Sequence, residues 1–451
     1  MDNLTFFTKF GKEDLEKNMK KFNSPFLQEL QSRGFIYQST DLDALDALTS
    51  KGPITFYIGF DATAPSLHVG SLMTIMMMRI GQKYGHKPIV LMGGATTKIG
   101  DPTGKDKSRP IITDEQVNNN IAGIQQVFNK FLSFTDTATG AILLNNDDWL
   151  GKMGYMELLR DYGRHFTVNR MLSFESVKQR LEREQPMTFL EFNYMILQAY
   201  DFLELNRKYD CALQMGGSDQ WGNIINGVEL VRRLETKPSY GLTCPLITTA
   251  SGKKMGKTED GAVWMNPDML TPYDYWQYWR NTEDVDVIRF MKYFTDLSPT
   301  DIDKYEGLDG TDLNKLKILL ADETTKMAHG EDCLKDIHNT IAQLFGGQDL
   351  DVTVTGQDDE GNPILKSALP IIQIPFADLQ AGIPAYLLVA QSTLVASNGE
   401  ARRMIRGGGC KINDQKIEDE NAVYNDSAIQ DPGIIKVSVG KKKHALIQPV
   451  G

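Results

Sequence analysis

The sequence predicts an α/β protein with a parallel sheet, and three observations carry that prediction. Short apolar runs at 54–60, 87–94, 141–146 and 211–217 have the length and the β-branched or aromatic content of buried strands. Helical patterns over 114–132, 155–165 and 188–206 separate them. The run at 87–94 is continuously apolar after its lysine, as in a strand covered on both faces. Strands alternating with helices form a parallel sheet whose ligands bind beyond the strands' carboxyl ends.

At 451 residues the chain is too long for one core, so two or three domains are expected. A composition of 41% hydrophobic and 24% charged residues is that of soluble globular protein. No apolar run approaches the roughly 20 residues that span a bilayer. Residues 1–21 mix Asp2, Glu13, Asp14 and Glu16 with lysines and contain no arginine, unlike a secretory or transit signal. Cys211, Cys244, Cys333 and Cys410 are scattered without zinc spacing, which points to a reducing cytosol and no structural metal. The net charge of −11 argues against general nucleic-acid affinity. Residues 434–451, however, carry Lys436, Lys441, Lys442 and Lys443 and no acid, so any nucleic-acid contact should be local.

Residues 1–50 read as two short helices, with Leu27, Leu30 and Phe35 apolar and no chemistry in view. The strand at 54–60 then turns through small residues to Pro65 and Ser66, which read as a helix start before the apolar run at 72–78. A strand turning into a helix N-terminus forms an anion site, because free N–H groups and the helix dipole converge there. His68 lies in that first turn beside Gly70, so a phosphate approaching the backbone would meet an imidazole. The segment GDPTGK at 100–105 is not a P-loop: three residues separate its glycines, and Asp106 follows the lysine. A surface turn is the plain reading. Lys105 and Arg109 could still reach phosphates from it.

The helix at 188–206 is the most informative. At about 100° per residue, Phe189, Phe192, Ile196 and Leu203 share one face and Tyr194, Gln198 and Asp201 the opposite one. Met195, Leu197 and Phe202 flank the polar trio, so the helix is apolar nearly all round and reads as buried. The trio therefore faces either a substrate cavity or a satisfied core network. The segment GGSDQWGN at 216–223 follows the fourth strand and opens another helix at 223–234. Ser218 or Asp219 as an N-cap is the simple reading. Alternatively, the two glycines admit a ligand and Asp219 holds a ribose diol. The segment SGKKMGKT at 251–258 is either a solvated charge run or a loop that closes over a triphosphate.

The order and combination of these segments resemble one family. HVGS at 68–71 and KMGKT at 254–258 are similar to the HIGH and KMSKS signatures of class I aminoacyl-tRNA synthetases. Tyr57, GDPTGK, the Tyr194–Gln198–Asp201 helix and GGSDQWGN together resemble the bacterial-type tyrosyl-tRNA synthetases, from about residue 24 to the C-terminus. The resemblance implies a Rossmann-like catalytic domain over 24–250 after an N-terminal extension at 1–23. It further implies a KMSKS-like loop with a helical anticodon-binding domain at 251–345, a linker at 346–375 and a small α+β S4-like RNA-binding domain at 376–451.

The activity so implied joins tyrosine to tRNA(Tyr) through a tyrosyl-adenylate made from ATP with Mg²⁺, without a permanently bound cofactor or metal ligands. Tyr57 and Asp201 would bind the phenol hydroxyl, and Tyr194, Gln198 and Asp101 the ammonium group. Asn146 and Gln220 would also contact the amino acid. Gly59, Asp61, Gly70, Ser71, Gly217 and Asp219 would meet ATP. Thr63, His68, Lys105, Arg109, Lys254, Lys257 and Thr258 would stabilise phosphate charge. One departure stands out: Ser71 occupies the place of the second signature histidine. Arg402, Arg403, Arg406 and Lys441 to Lys443 would bind RNA. A cytoplasmic homodimer without membrane contact is expected. Two rivals remain open: a class I synthetase for tryptophan, and a non-catalytic RNA-binding protein on the same fold.

Overall fold

The computed structural model describes residues 20–102, 112–252, 255–258, 261–346, 353–358, 362–367, 369–440 and 443–451. The chain divides into two compact units, Met1–Ser251 with Met291–Tyr305, and Gly252–Phe290 with Glu306–Gly451.

The first unit is built on six strands: β1 (Gln38–Ser39), β2 (Thr55–Phe60), β3 (Lys87–Met92), β4 (Ile142–Asn145), β5 (Cys211–Gly217) and β6 (Tyr240–Cys244). Their order is β1-β6-β5-β2-β3-β4. Five are parallel, as the alternating pattern predicted, and only the short edge strand β1 runs antiparallel, against β6. β1 and β6 are additions to the four strands legible in the sequence. From β2 the chain steps outward through β3 and β4, then returns to the other side of β2 with β5. The strand order thus reverses between β2 and β5, which opens a crevice at their carboxyl ends.

Helices cover both faces. α1 (Pro25–Arg33) starts with Ser24 as N-cap and Pro25 in its first turn. α2 (Leu42–Thr49) is capped by Asp41. α3 (Leu72–Lys83) does not begin at Pro65 and Ser66 as expected. Its entry is a 3₁₀ turn, Val69–Ser71, capped by His68, whose Nδ1 accepts from the Gly70 N–H at 3.0 Å. The imidazole nitrogen thereby satisfies one of the N–H groups that a helical start leaves free.

α4 (Gly94–Ile99) and α5 (Asp114–Phe131) follow, the latter opened by a Thr113–Gln116 capping box. α6 (Asp147–Leu150) is a single turn directly after β4. The segment 155–165 is less regular than its pattern suggested: one α turn, then a π turn over Leu158–Tyr162 and a 3₁₀ turn over Gly163–His165. Within it Tyr162 packs edge-on against Tyr200, ring centroids 4.6 Å apart. α7 (Phe189–Tyr209) has a Thr188–Glu191 capping box, and Glu191 is paired inside the protein with Arg180 at 2.9 Å. α8 (Trp221–Glu235) packs beside it. Phe189 does not share the buried face with Ile196 and Leu203 as expected. It is 67% exposed, because the first turn of α7 stands clear of the sheet that buries the rest.

The core between β2, β5, α7 and α8 is formed by Tyr57, Ala199, Phe202, Leu203, Cys211, Leu230 and neighbouring residues. Arg33 ties the 291–305 segment to this unit through the carbonyls of Lys292, Thr295 and Leu297, at 2.7–2.9 Å. Each is a charge-assisted bond to a group that would otherwise be an orphan acceptor near a helix end.

In the second unit, helices Pro272–Arg280, Gly310–His329 and Glu331–Gly346 pack together. The first of these helices is rich in aromatic residues, and its Tyr273, Tyr275, Trp276 and Trp279 are buried core. The stretch 346–375 is more structured than a linker reading implies. Thr353–Gln357 pairs with Pro363–Lys366, and Ile371–Pro375 is the edge strand of a five-stranded sheet completed by Lys443–Val450, Ile435–Val439, Cys410–Ile412 and Gln415–Lys416. The faces of the hairpin are largely exposed, Val354 and Ile364 among them. Helices Ala385–Gln391 and Asn398–Arg406 pack beside that sheet through Leu388, Val389, Ala401 and Ile405. Among the described residues no helix is long and apolar enough to cross a membrane.

His86 shows how the first unit depends on pH. Its Nδ1 accepts the Ile54 N–H at 3.2 Å and its ring meets Phe26 edge-on. Burial lowers its pKa from 6.5 to about 4. The neutral ring therefore supports the fold above pH 6.5, and that support is lost as pH falls towards 4. Urea unfolding should show a stability loss of up to about 3 kcal/mol across this window, at about 1.4 kcal/mol per pKa unit. His86→Gln, which keeps an acceptor but no titrating ring, should flatten the profile; an unchanged slope would show that another group controls it.

Candidate active site

The crevice at the switch point is a cavity of about 300 Å³ within the first unit, at the lower end of the range of small-ligand sites. Gly59 and Asp61 enter it from the end of β2, Gly93 and Thr96 from beyond β3, and Asn146 from beyond β4. Gly216 and Gly217 enter from the end of β5, and Gly70 and Ser71 from the 3₁₀ turn. α7 contributes Tyr194, Gln198 and Asp201, all from the face the helical wheel selected. The two readings of that face are both partly right. The trio faces a cavity, and Asp201 is also held by a core network.

Asp201 is the chemical centre. It is 2% exposed and accepts from Asn146 Nδ2 at 3.0 Å and from Trp149 Nε1 at 2.8 Å. Burial pushes its carboxyl up to about 7, against the lowering effect of those two donors; the charges of Asp61 and Glu204 push the same way as burial. Asn146 also donates to Thr96 Oγ1 at 3.0 Å and accepts from the Ala95 N–H at 2.9 Å. Thr96 in turn donates to Asp61 Oδ1 at 2.9 Å, and Tyr194 donates to Asp61 Oδ2 at 3.3 Å. One chain of hydrogen bonds thus runs from the buried carboxylate to the mouth of β2. Tyr57, 1% exposed, has a hydroxyl with no partner among the described residues. Burial and the nearby charge of Asp201 hold its pKa far above the ordinary tyrosine value, so it remains a neutral donor.

Further out, Gln220 donates to Asp101 Oδ2 at 2.9 Å, which joins the start of α8 to the GDPTGK segment. The N-cap positions of the 3₁₀ turn at 218–220 and of α8 fall at Gly217 and Gln220, not at Ser218 or Asp219. A Cβ at Gly217 would lie 2.5 Å from Asp219 Oδ1, so a larger residue there would push that carboxylate aside.

All seven residues expected to hold the amino acid line this cavity: Tyr57, Asp101, Asn146, Tyr194, Gln198, Asp201 and Gln220. Gly59, Asp61, Gly70, Ser71, Gly217 and Asp219 line it as well. Thr63 is exposed and neither it nor His68 lies in the lining, where His68 instead caps the adjoining turn. Lys105, Arg109 and Lys254 lie outside the described residues. The backbone of Lys257 and Thr258 forms a short strand paired with Gly261–Ala262 in the second unit. The sequence reading missed Thr96, Trp149 and Gln214. Trp149 stands three residues after Asn146, the spacing that puts both on one side of a helical turn. Gln214 is a lone polar residue inside an apolar strand, which was a signal in itself.

Five parallel strands with a polar cavity at their switch point form a Rossmann-like α/β fold, the class of fold that the class I synthetases share. Residues 49–346 match the family model for "tRNA synthetases class I (W and Y)". A tyrosine–tRNA ligase of a Caulobacter species is 57% identical over 95% of this chain and 99% of its own length. One of Gluconobacter oxydans is 51% identical over 95% of this chain and 99% of its own. Among solved structures, a C-terminally truncated mitochondrial tyrosyl-tRNA synthetase of Aspergillus nidulans is 30% identical, with a TM-score of 0.64 over 74% of this chain and 97% of its own. The chain belongs to the bacterial-type tyrosyl-tRNA synthetases.

The indole donor should tune the Asp201 carboxyl. Trp149→Phe keeps the ring and removes a hydrogen bond that favours the ionised form. The carboxyl midpoint, followed by difference infrared or ¹³C NMR, should therefore rise above about 7. A midpoint that stays in place would remove Trp149 from this role.

Proposed function

We propose that the chain is a tyrosine–tRNA ligase whose cavity takes L-tyrosine with its phenol hydroxyl towards Asp201 and its carboxylate towards ATP. The observation that carries this reading is the buried Asp201 carboxylate close to the partnerless Tyr57 hydroxyl. A substrate hydroxyl can donate to the first and accept from the second. A site of this kind rejects an analogue that lacks the hydroxyl, because its own polar groups are then left unpaired; tyrosyl-tRNA synthetases are the type case. Tryptophan, with an N–H and no acceptor, would leave the Tyr57 proton unused.

Tyr194, Gln198 and Asp101 take the ammonium group, with Asn146 and Gln220 completing the amino-acid site. ATP, taken up as its magnesium complex, lies across Gly59, Gly70, Ser71, Gly217 and Asp219. Asp61 has two duties, since it already holds Tyr194 and Thr96. The tyrosine carboxylate attacks the α-phosphate, a P–O bond forms, and pyrophosphate leaves. A carboxylate needs no general base, so catalysis rests on alignment and on stabilising phosphate charge. Thr63, His68, Lys105, Arg109, Lys254, Lys257 and Thr258 supply that charge or hydrogen bonding. The terminal ribose hydroxyl of tRNA(Tyr) then attacks the adenylate carbonyl and displaces AMP.

We assign anticodon contact to the helices of 251–345 and further RNA contact to the S4-like module of 376–451. Arg403 is exposed there. Arg402 and Arg406 pair with Glu420 at 2.6–2.7 Å, and the Arg402 guanidinium stacks 3.6 Å from the Tyr386 ring centre. RNA phosphates must therefore displace Glu420 from Arg406, while Arg402 is chiefly a packing residue. Lys443 is exposed, and Lys441 and Lys442 lie outside the described residues. We further propose a homodimer. Tyr155, Met156, Val168, Leu181 and Phe189 are each more than half exposed between 155 and 190, an unusual density of bare apolar side chains. We assign the enzyme to the cytoplasm, a reducing compartment that suits its four free cysteines.

ATP–pyrophosphate exchange tests the reading. Tyrosine should support it, and phenylalanine and tryptophan should not at equal concentration; exchange driven by tryptophan instead would transfer the assignment to that amino acid. In the same assay Lys257→Ala should lose about 10²–10³ in rate, as removal of a single transition-state donor does. Ser71→Ala should cost less than His68→Ala, since a hydroxyl reaches less far and carries no potential charge; the reverse order would make Ser71 the stronger contact.

A further inference from the structure

We infer that Gln214 is a third reader of the substrate's phenol hydroxyl, beside Tyr57 and Asp201, and so a specificity-determining residue; the inference rests on the ligase reading above. Among the described residues, only two of the buried polar side-chain atoms without a hydrogen-bond partner belong to residues that line the cavity. They are the Tyr57 hydroxyl and Gln214 Oε1. The two residues are direct neighbours in the β2–β5 ladder, Tyr57 opposite Gln214, so their side chains leave the sheet on the same face. That face is the one covered by α7, the helix that carries Asp201. Phe202 marks the shared floor, since its ring lies 5.3 Å from that of Tyr57 and it also borders Gln214 beside Gly227.

The seat of Gln214 is built for a polar group. The residue is 2% exposed within an otherwise apolar strand, and its buried Oε1 has no hydrogen-bond partner among the described residues. Opposite it, α8 presents Gly227: a Cβ there would lie 3.1 Å from Gln214 Oε1 and 3.0 Å from Phe202, so the helix is bare where the amide rests. A buried carboxamide left without partners is unfavourable, and groups of that kind call for a ligand or a function. An ordinary core position would be filled by leucine or methionine at no such cost.

The hydrogen-bond inventory fits one occupant. A phenol hydroxyl has one proton and two acceptor sites. Donation to Asp201 uses the proton, and the Tyr57 hydroxyl fills one acceptor site. The remaining site takes an N–H of Gln214, whose amide presents its donor end by turning about its last bond. Phenylalanine offers none of these, so it would leave three groups unpaired.

The test uses the full chain in tyrosine- and phenylalanine-dependent ATP–pyrophosphate exchange. Gln214→Met keeps the length and removes the amide. It should raise KM for tyrosine about tenfold, the worth of one hydrogen bond, with kcat little changed. The parameters for phenylalanine should stay within about twofold, so the preference for tyrosine narrows about tenfold. A merely structural role would move both amino acids in the same proportion; that result, or no change in either, overturns the inference. If Gln214→Met does not fold, Gln214→Leu carries the same two outcomes. Failure of the unaltered chain to use tyrosine would instead overturn the ligase reading.

Discussion

The site depends on keeping one carboxylate inside the protein. Asp201 lies in the interior of a 21-residue helix, where an unsupported charge would be heavily disfavoured. Two donors on the turn after β4 offset this, Asn146 from its start and Trp149 from within it. Neither donor is placed by its own short helix alone. Asn146 is fixed by Ala95 and Thr96 on the segment after β3. The position of Asp201 is therefore set by three adjacent strand ends at once, and the sheet order is what makes them adjacent.

That arrangement exchanges stability for recognition. His86 and Asp201 are both buried titrating groups with pKa values displaced by desolvation, yet they differ in consequence. His86 is satisfied by one backbone donor and simply stays neutral. Asp201 is held near its midpoint and close to a hydroxyl with no partner, an arrangement that serves a ligand better than it serves the fold. Tyr57 and Gln214 belong to the same pattern. Polar groups left unmatched inside a protein are costly, and these two lie side by side in the lining of one cavity.

The second unit shows how a surface that reads as basic in the sequence can be largely paired in the fold. Arg402 and Arg406 are four residues apart on one helix, which is legible. Their shared partner Glu420 comes from a loop beyond two strands, which is not. Similarly, the stretch expected as a linker at 346–375 contains an edge strand, because Ile371–Pro375 gains its pairing from Lys443–Val450, far along the chain.

The sequence by itself determined four of the five parallel strands, the polar face of the helix bearing Tyr194, Gln198 and Asp201, and the glycines at strand ends. Each is a local periodicity or a local steric requirement, written within a dozen or so residues. Only the tertiary structure decided which partners those residues meet. Trp149 on Asp201, Thr96 on Asp61 and Gln214 beside Tyr57 are contacts across 35 to 157 positions, created by the reversal of strand order at β2 and β5. Local chemistry specifies elements. The order in which strands lie side by side specifies a site.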